Sequence, residues 1–178
     1  EPRSSEYRFK SFVKSRVRQM LNPEFIAYVP FDHYVFCVNT VLSVFDKYSL
    51  KTLNILHNNA YTAGDFAICG TRGWFFEEDV SGQHDEKVFK RELLRLEASL
   101  KSAGDLPKMV FLHYPPRYKG YECPEILELL KQYEVRQCFY GHLHGPSHKL
   151  ALEGLWDGVE YHLVAADYLN FRPQKVYP

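Results

Sequence analysis

Residues 135–145, VRQCFYGHLHG, join a short apolar run to two histidines. The run at 138–140 is typical of a buried β-strand, which would end where Gly141 begins. His142 and His144 stand two positions apart, so their side chains share a face in an extended segment. The flanking glycines allow the backbone to bend until both rings reach one centre. The stretch therefore predicts a strand followed by an imidazole pair, a pattern that suits a divalent metal.

Two more predicted strands end in polar residues. Residues 108–112, KMVFL, precede His113 in the segment HYPP. Residues 66–69, FAIC, are closed by Gly70 and precede Arg72 in the segment TRGW. Both runs are short, apolar and rich in residues that favour sheet.

Two amphipathic helices are predicted near these strands. Residues 85–103 carry an apolar stripe opposite alternating Lys, Arg and Glu, and Gly104 is a suitable C-terminal stop. Residues 124–133 begin with a proline and place their leucines on one face. Strands that alternate with helices indicate an α/β fold, in which ligands collect at the carboxyl ends of the strands. We therefore expect the histidines and Arg72 to lie at one edge of one sheet.

Local patterns predict the remaining elements. They are an amphipathic helix with a basic face within 1–22, a buried strand at 34–38, short strands at 53–57 and 161–165, and turns at 57–59 and 62–65. Val176 is a candidate for a closing strand. The basic N-terminal helix has an alternative interpretation, a docking arm for a partner or a nucleic acid.

The bulk composition is that of one ordinary globular domain. The 178 residues are 46% hydrophobic, and 22 Lys and Arg balance 22 Asp and Glu. This balance gives no specific signal for nucleic acid or for an anionic membrane. The 4 cysteines form no C-x-x-C pair, so free thiols in a reducing, cytoplasmic compartment are expected. No apolar run is long enough to span a bilayer, so no membrane partner is predicted.

Three histidines are candidate metal ligands because of their positions: His113, His142 and His144. A single histidine after a strand is usually a hydrogen-bonded loop residue, but imidazoles at neighbouring strand ends favour a shared metal. Neutral imidazole suits Zn, Fe and Mn. The other histidines have no such setting and are expected on the surface or in the core: His33, His57, His84, His148 and His162.

The segment FLHYPP, followed about thirty residues later by YGHLHG, resembles the second half of the calcineurin-like metallophosphoesterase family. GTRGW, HDEKVFKRELLRLEASL and HLVAADYLNF also resemble a bacterial branch of that family. The resemblance begins near Leu53 and runs to the C-terminus. It implies an α/β fold that is part of a metallophosphoesterase-type αββα sandwich with mixed sheets.

The resemblance also implies a site and a reaction. His113 and His142 would bind one metal and His144 a second, and the two ions would clamp a phosphate ester and activate the attacking water. For Arg72 the hypothesis is that it binds a phosphate oxygen of the substrate at the mouth of the site, and a salt bridge is the alternative role. The implied activity is hydrolysis of phosphate mono- or diesters, with Mn, Fe or Zn as the cofactor.

The family's first ligand motifs are missing from the sequence. D-x-H, G-D-x-x-D and G-N-H-D or G-N-H-E would supply the bridging Asp and an Asn ligand, and none of them occurs. Asn39 and the order Asp32-His33-Tyr34 are partial matches that we do not assign as ligands. Two cations without a bridging carboxylate would repel each other, so we expect at most one ion in this chain, held by imidazoles. No catalytic residue is assigned.

Residues 1–50 are therefore interpreted as a divergent segment in place of the expected first half, and residues 51–178 as the C-terminal half of the phosphoesterase domain. We expect a C-terminal piece of an interrupted or truncated gene. A split half that needs a complementing partner and a degenerate family member are the alternatives. A missing half would expose sheet edges and apolar faces, so self-association is expected. The alternative function is a non-catalytic, oligomeric or partner-binding remnant of the fold.

Overall fold

The computed structural model describes residues 27–30, 38–51, 53–74, 83–172 and 174–176. The chain divides into two compact units, Glu1–Ile55 and Leu56–Pro178. The basic helix expected within residues 1–22 and the Asp32-His33-Tyr34 match lie outside the described residues. No helix in the described ranges is both long and apolar enough to cross a membrane.

The first unit contains a helix and short strands: β1 (Ala27–Pro30), α1 (Val38–Lys47) and β2 (Leu53–Leu56), which runs into the second unit and pairs with β1. The strand predicted to end at Val38 is wrong at that end, because Val38 begins α1. Asn39, expected to follow the strand, is also helical. Val38, Val41, Leu42 and Phe45 recur at helical spacing, a period that the β-branched and aromatic composition obscured. The rest of that predicted strand lies outside the described residues.

The second unit is built on a six-stranded sheet. In chain order its elements are β3 (Ala60–Ala63), β4 (Phe66–Thr71), α2 (Gln83–Ser102), β5 (Lys108–Leu112), β6 (Arg117–Tyr118), β7 (Tyr121–Glu122), α3 (Pro124–Gln132), β8 (Gln137–Tyr140), a 3-10 helix (Gly145–Leu150), β9 (Gly154–Trp156) and β10 (Val159–Leu163). β6 and β7 pair with each other, and the six-stranded sheet has the order β3-β4-β5-β8-β10-β9.

Parallel strands form the centre of this sheet, and antiparallel strands flank them. β4, β5, β8 and β10 are parallel neighbours, while β3 pairs with β4 and β9 with β10 in antiparallel fashion. Leu112 is in register with both Thr71 and Tyr140, and Tyr140 is in register with Leu163. The carboxyl ends of the four parallel strands therefore meet at one edge. The α/β class with a mixed sheet is confirmed.

Both helices of the second unit contribute to one apolar core with the sheet. Its buried members include Leu96 and Leu100 of α2, Ile126 and Leu130 of α3, and Cys69, Val110 and Cys138 of the central strands. Fully burying one leucine side chain contributes about 1.5–3 kcal/mol. The predictions of helices at 85–103 and 124–133 are confirmed to within two residues, and Gly104 follows α2 with a φ of 57°.

The strand predictions differ from the structure mainly at their ends. Residues 108–112 form β5 as predicted, and residues 53–57 and 138–140 each match a strand to within one residue. Gly70 does not close β4, because it pairs with Phe111 inside the sheet and its N–H donates to Ser99 Oγ at 2.9 Å. A Cβ at this position would collide with the Phe111 carbonyl, so glycine permits the close approach of β5.

Three hairpins among the described residues were not predicted: β3–β4, β6–β7 and β9–β10. Thr62 and Ala63 belong to β3 and only Gly64 and Asp65 form the turn, so the expected turn at 62–65 is wrong in its first half. Asp157 and Gly158, with φ of 51° and 84°, connect β9 to β10. Asp-Gly is a strong hairpin signal because both residues accept positive φ. β10 begins two residues before the predicted strand at 161–165, and Val176 lies in no strand of the described residues.

Candidate functional site

Two histidines follow adjacent parallel strands and face each other. His113 comes directly after β5, and His142 follows β8 after Gly141. The Gly141 N–H donates to the His113 carbonyl at 3.1 Å, which ties the two strand ends together. Nε2 of His113 then lies 3.2 Å from Nδ1 of His142. Strand pairing thus brings together two of the three predicted ligands.

The backbone at His142 has an uncommon conformation. Its φ is 67°, and the Leu143 N–H donates to the Gly141 carbonyl at 2.8 Å, which closes a three-residue turn around His142. Turns of this kind with positive φ are rare and strained for a residue that has a side chain. Strain of about 1–3 kcal/mol at one residue is typical of positions that serve a function. The turn re-aims the His142 ring toward His113.

Tyr114 forms an aromatic wall beside the pair. Its ring centroid lies 4.7 Å from that of His113 and 4.6 Å from that of His142. Desolvation by burial, together with smaller effects of positive charge on His144 and Arg72, lowers the pKa of His113 to about 4. His113 is therefore neutral at pH 7, the protonation state that binds a metal.

His144 makes a different contact. Its Nδ1 lies 2.8 Å from Oδ1 of Asp167, and Oδ2 of the same carboxylate accepts the Gly145 N–H at 2.8 Å. Nε2 of His148 approaches that second oxygen at 3.2 Å. The hydrogen bond from His144, followed by that from Gly145, lowers the pKa of Asp167 well below its usual range. The third predicted ligand thus interacts with Asp167, while the first two interact with each other.

Arg72 follows β4 at the same edge of the sheet. Its carbonyl accepts the N–H groups of both His113 and Tyr114 at 3.0 Å, which positions the segment after β5. Its guanidinium stacks on Trp74 at 4.7 Å, and Nη2 lies 3.8 Å from Oε1 of Glu92, a buried carboxylate on α2. Arg72, the predicted substrate-binding residue, thus lies at the expected edge of the sheet, and the Glu92 carboxylate on α2 offsets its positive charge.

No group of three or more His, Cys, Asp and Glu side chains within the described part of the chain is arranged to hold a metal ion. The arrangement there is instead a converging histidine pair beside a separate His144–Asp167 contact. The metal-binding roles of His113, His142 and His144 remain predictions.

The sequence patterns did not predict that Asp167 and His148 lie at the carboxyl edge of the sheet. Asp167 lies four residues beyond the end of β10, in the segment HLVAADYLNF. The rule that polar residues collect at the carboxyl ends of parallel strands would have found it if β10 had been placed in the central sheet. His148 lies in the 3-10 helix that follows the histidine motif, and His162 stacks on Phe139 at 4.8 Å within the sheet.

Comparisons with models of protein families, with curated proteins and with solved structures find no match to this chain. The resemblance to calcineurin-like metallophosphoesterases therefore remains a prediction from the quoted motifs.

Proposed function

We propose that this chain acts in the metal-dependent hydrolysis of phosphate esters, with His113 and His142 holding one divalent ion at the carboxyl edge of the sheet. The observation that carries the proposal is the convergence of two ring nitrogens, 3.2 Å apart, at the ends of adjacent parallel strands. The motifs FLHYPP and YGHLHG agree with it.

The distance between the two nitrogens fits the proposed ion. Zn–N bonds are about 2.0–2.1 Å long, so two ring nitrogens 3.2 Å apart could both reach one ion. The neutral state of His113 leaves a lone pair available, and imidazole suits Zn and Fe. Water, substrate or further ligands would fill the remaining positions.

The side chains around the pair have distinct roles in this proposal. When bound, the ion would lower the pKa of a coordinated water and polarise a phosphoryl oxygen. Tyr114 keeps the histidine rings in place through its ring contacts with both of them. Arg72 would bind a phosphate oxygen of the substrate and would then interact less with the Glu92 carboxylate. Glu92 also forms an ion pair with Arg95 on α2. In this proposal the two histidines bind the ion, and Arg72 orients the substrate.

Metal content and turnover of the whole chain test the proposal. We expect one equivalent of Zn or Mn after loading and dialysis, together with slow hydrolysis of an aryl phosphate ester, since the D-x-H and G-D-x-x-D carboxylates are absent. His142→Ala should lose both the ion and the turnover. His162→Gln, which changes a histidine that stacks on Phe139 within the sheet, is the matched control and should retain both.

The alternative function, a non-catalytic oligomeric or partner-binding domain, predicts a different result. A folded chain that retains no ion and does not hydrolyse the ester, in wild type and variants alike, would overturn the proposal and favour this alternative. Bound metal without turnover would support the site and contradict hydrolysis by this chain alone.

The role of Arg72 gives a separate prediction. Arg72→Ala should raise the KM for the aryl phosphate about tenfold or more with little change in kcat, because a charge-assisted hydrogen bond to phosphate is lost. Arg91→Ala, an exposed arginine on α2, should leave both constants unchanged. An unchanged KM in the Arg72 variant would show that the guanidinium serves only the ion pair with Glu92.

A further inference from the structure

Asp167 holds both the ring and the following backbone of His144. Oδ1 lies 2.8 Å from Nδ1 of the ring, and Oδ2 accepts the N–H of Gly145, the next residue, at 2.8 Å. Because the Asp167 carboxylate contacts both the His144 ring and the backbone of the next residue, it fixes the direction in which the imidazole points. Nothing in the metal pair of His113 and His142 requires this contact, so Asp167 needs an explanation of its own.

The chemistry of the contact selects one form of the ring. An ionised carboxylate only accepts hydrogen bonds, so the proton must lie on Nδ1 of His144. In the neutral ring the lone pair then lies on Nε2. The contact with Asp167 uses Nδ1 alone, and the side chain remains 60% exposed. Nε2 is thus the atom prepared to bind a cation.

The position of Asp167 depends on the last parallel strand. The Val164 N–H donates to the Tyr140 carbonyl at 2.7 Å, which continues the β8–β10 pairing beyond Leu163. The turn that follows is anchored by Tyr168, whose hydroxyl donates to Oε2 of Glu153 at 2.7 Å. The same Glu153 accepts the Leu163 N–H at 3.2 Å. Asp167 is therefore presented to His144 by ordered backbone from β10.

We propose that Asp167 is a positioning residue that holds His144 as the Nδ1–H tautomer and presents its Nε2 to the single divalent cation of the proposed site. The cation part rests on the proposed function, whereas the tautomer part does not. Carboxylate partners that orient a metal-binding histidine typically change metal affinity by about 10–100-fold. Asp167 acts through His144 and is not itself a ligand.

The first test is the tautomer of His144 in the metal-free chain. Ring 15N shifts recorded near pH 9, where a free imidazole is neutral, distinguish the two tautomers, and a His144→Gln variant assigns the signals. We expect the Nδ1–H form in wild type and the Nε2–H form in Asp167→Asn, whose amide offers a donor to Nδ1. An Nε2–H form in wild type, or no change in the variant, would overturn the inference.

The second test is Zn²⁺ binding by calorimetry with the same proteins. Asp167→Asn should weaken binding about tenfold or more, and Asp167→Glu should restore part of the loss. Asp105→Asn, which removes an exposed carboxylate near the start of β5, is the matched control and should bind like wild type. Equal affinity of wild type and Asp167→Asn would overturn the cation part.

The two tests separate this inference from the function on which it rests. A wild type with the Nδ1–H tautomer that binds no Zn²⁺ would contradict the proposed function and the cation part together. Normal Zn²⁺ binding with the other tautomer would contradict the inference alone.

Discussion

At the scale of single residues, the site depends on backbone conformations that place rings, and His142 is the clearest case. Its φ of 67° and the hydrogen bond from Leu143 to Gly141 turn the ring toward His113. A residue with a Cβ adopts this conformation at a cost, which the surrounding strand pairing must offset. His142 is therefore both a strained residue and a proposed metal ligand.

Burial of His113 has a consequence for stability against pH. Its pKa falls from 6.5 unfolded to about 4 folded, so the unfolded chain binds more protons between these values. The free energy of unfolding should therefore fall as the pH drops from 6.5 toward 4. Because the ring is only partly buried, we expect a loss of about 1 kcal/mol from this residue between pH 7 and pH 5.

Urea unfolding in the presence of EDTA measures this effect. His113→Gln removes the titrating ring, so its free energy of unfolding should depend less on pH than that of wild type. His162→Gln should keep the wild-type slope. Parallel pH curves for wild type and His113→Gln would contradict the assigned burial of the ring.

At the scale of elements, α2 and α3 hold the sheet whose edge carries the site. Leu130 of α3 is fully buried, whereas Leu94 of α2 is 65% exposed. Leu130→Ala should lower the free energy of unfolding by about 2–5 kcal/mol, through lost transfer energy and a cavity. Leu94→Ala should change it by about 0.5 kcal/mol or less. Equal losses in denaturant melts would contradict the assigned faces of the helices.

The thiols on these elements report on the same packing. Cys69 on β4 and Cys123 before α3 are buried, and burial raises the pKa of each to about 11. Burial also raises the pKa of Cys138 on β8. In a Cys37→Ser chain at pH 8, we expect these thiols to react with an aromatic disulfide reagent only after unfolding, because the thiolate is the reactive form. Rapid reaction of the folded chain would contradict a closed core.

At the scale of the whole molecule, elements with a strong period were predictable and the contacts between them were not. KMVFL and the helix before Gly104 were found because their apolar patterns and stop signals are local. Val38, the first residue of α1, was predicted as the end of a strand because the segment around it is rich in β-branched and aromatic residues. The contact of His144 with Asp167 joins residues 23 positions apart, and it depends on the placement of β10 beside β8. A local pattern holds no information about such a pairing.

The central claim is that His113 and His142 bind one divalent ion through the two nitrogens that face each other. The direct measurement is a Zn²⁺ titration of the whole chain followed by the ring 15N shifts of both histidines. We predict that Nε2 of His113 and Nδ1 of His142 shift together and saturate at one equivalent, and that Nε2 of His113 does not shift in His142→Ala. Ring nitrogens that remain unchanged in wild type at several equivalents of Zn²⁺ would contradict the claim.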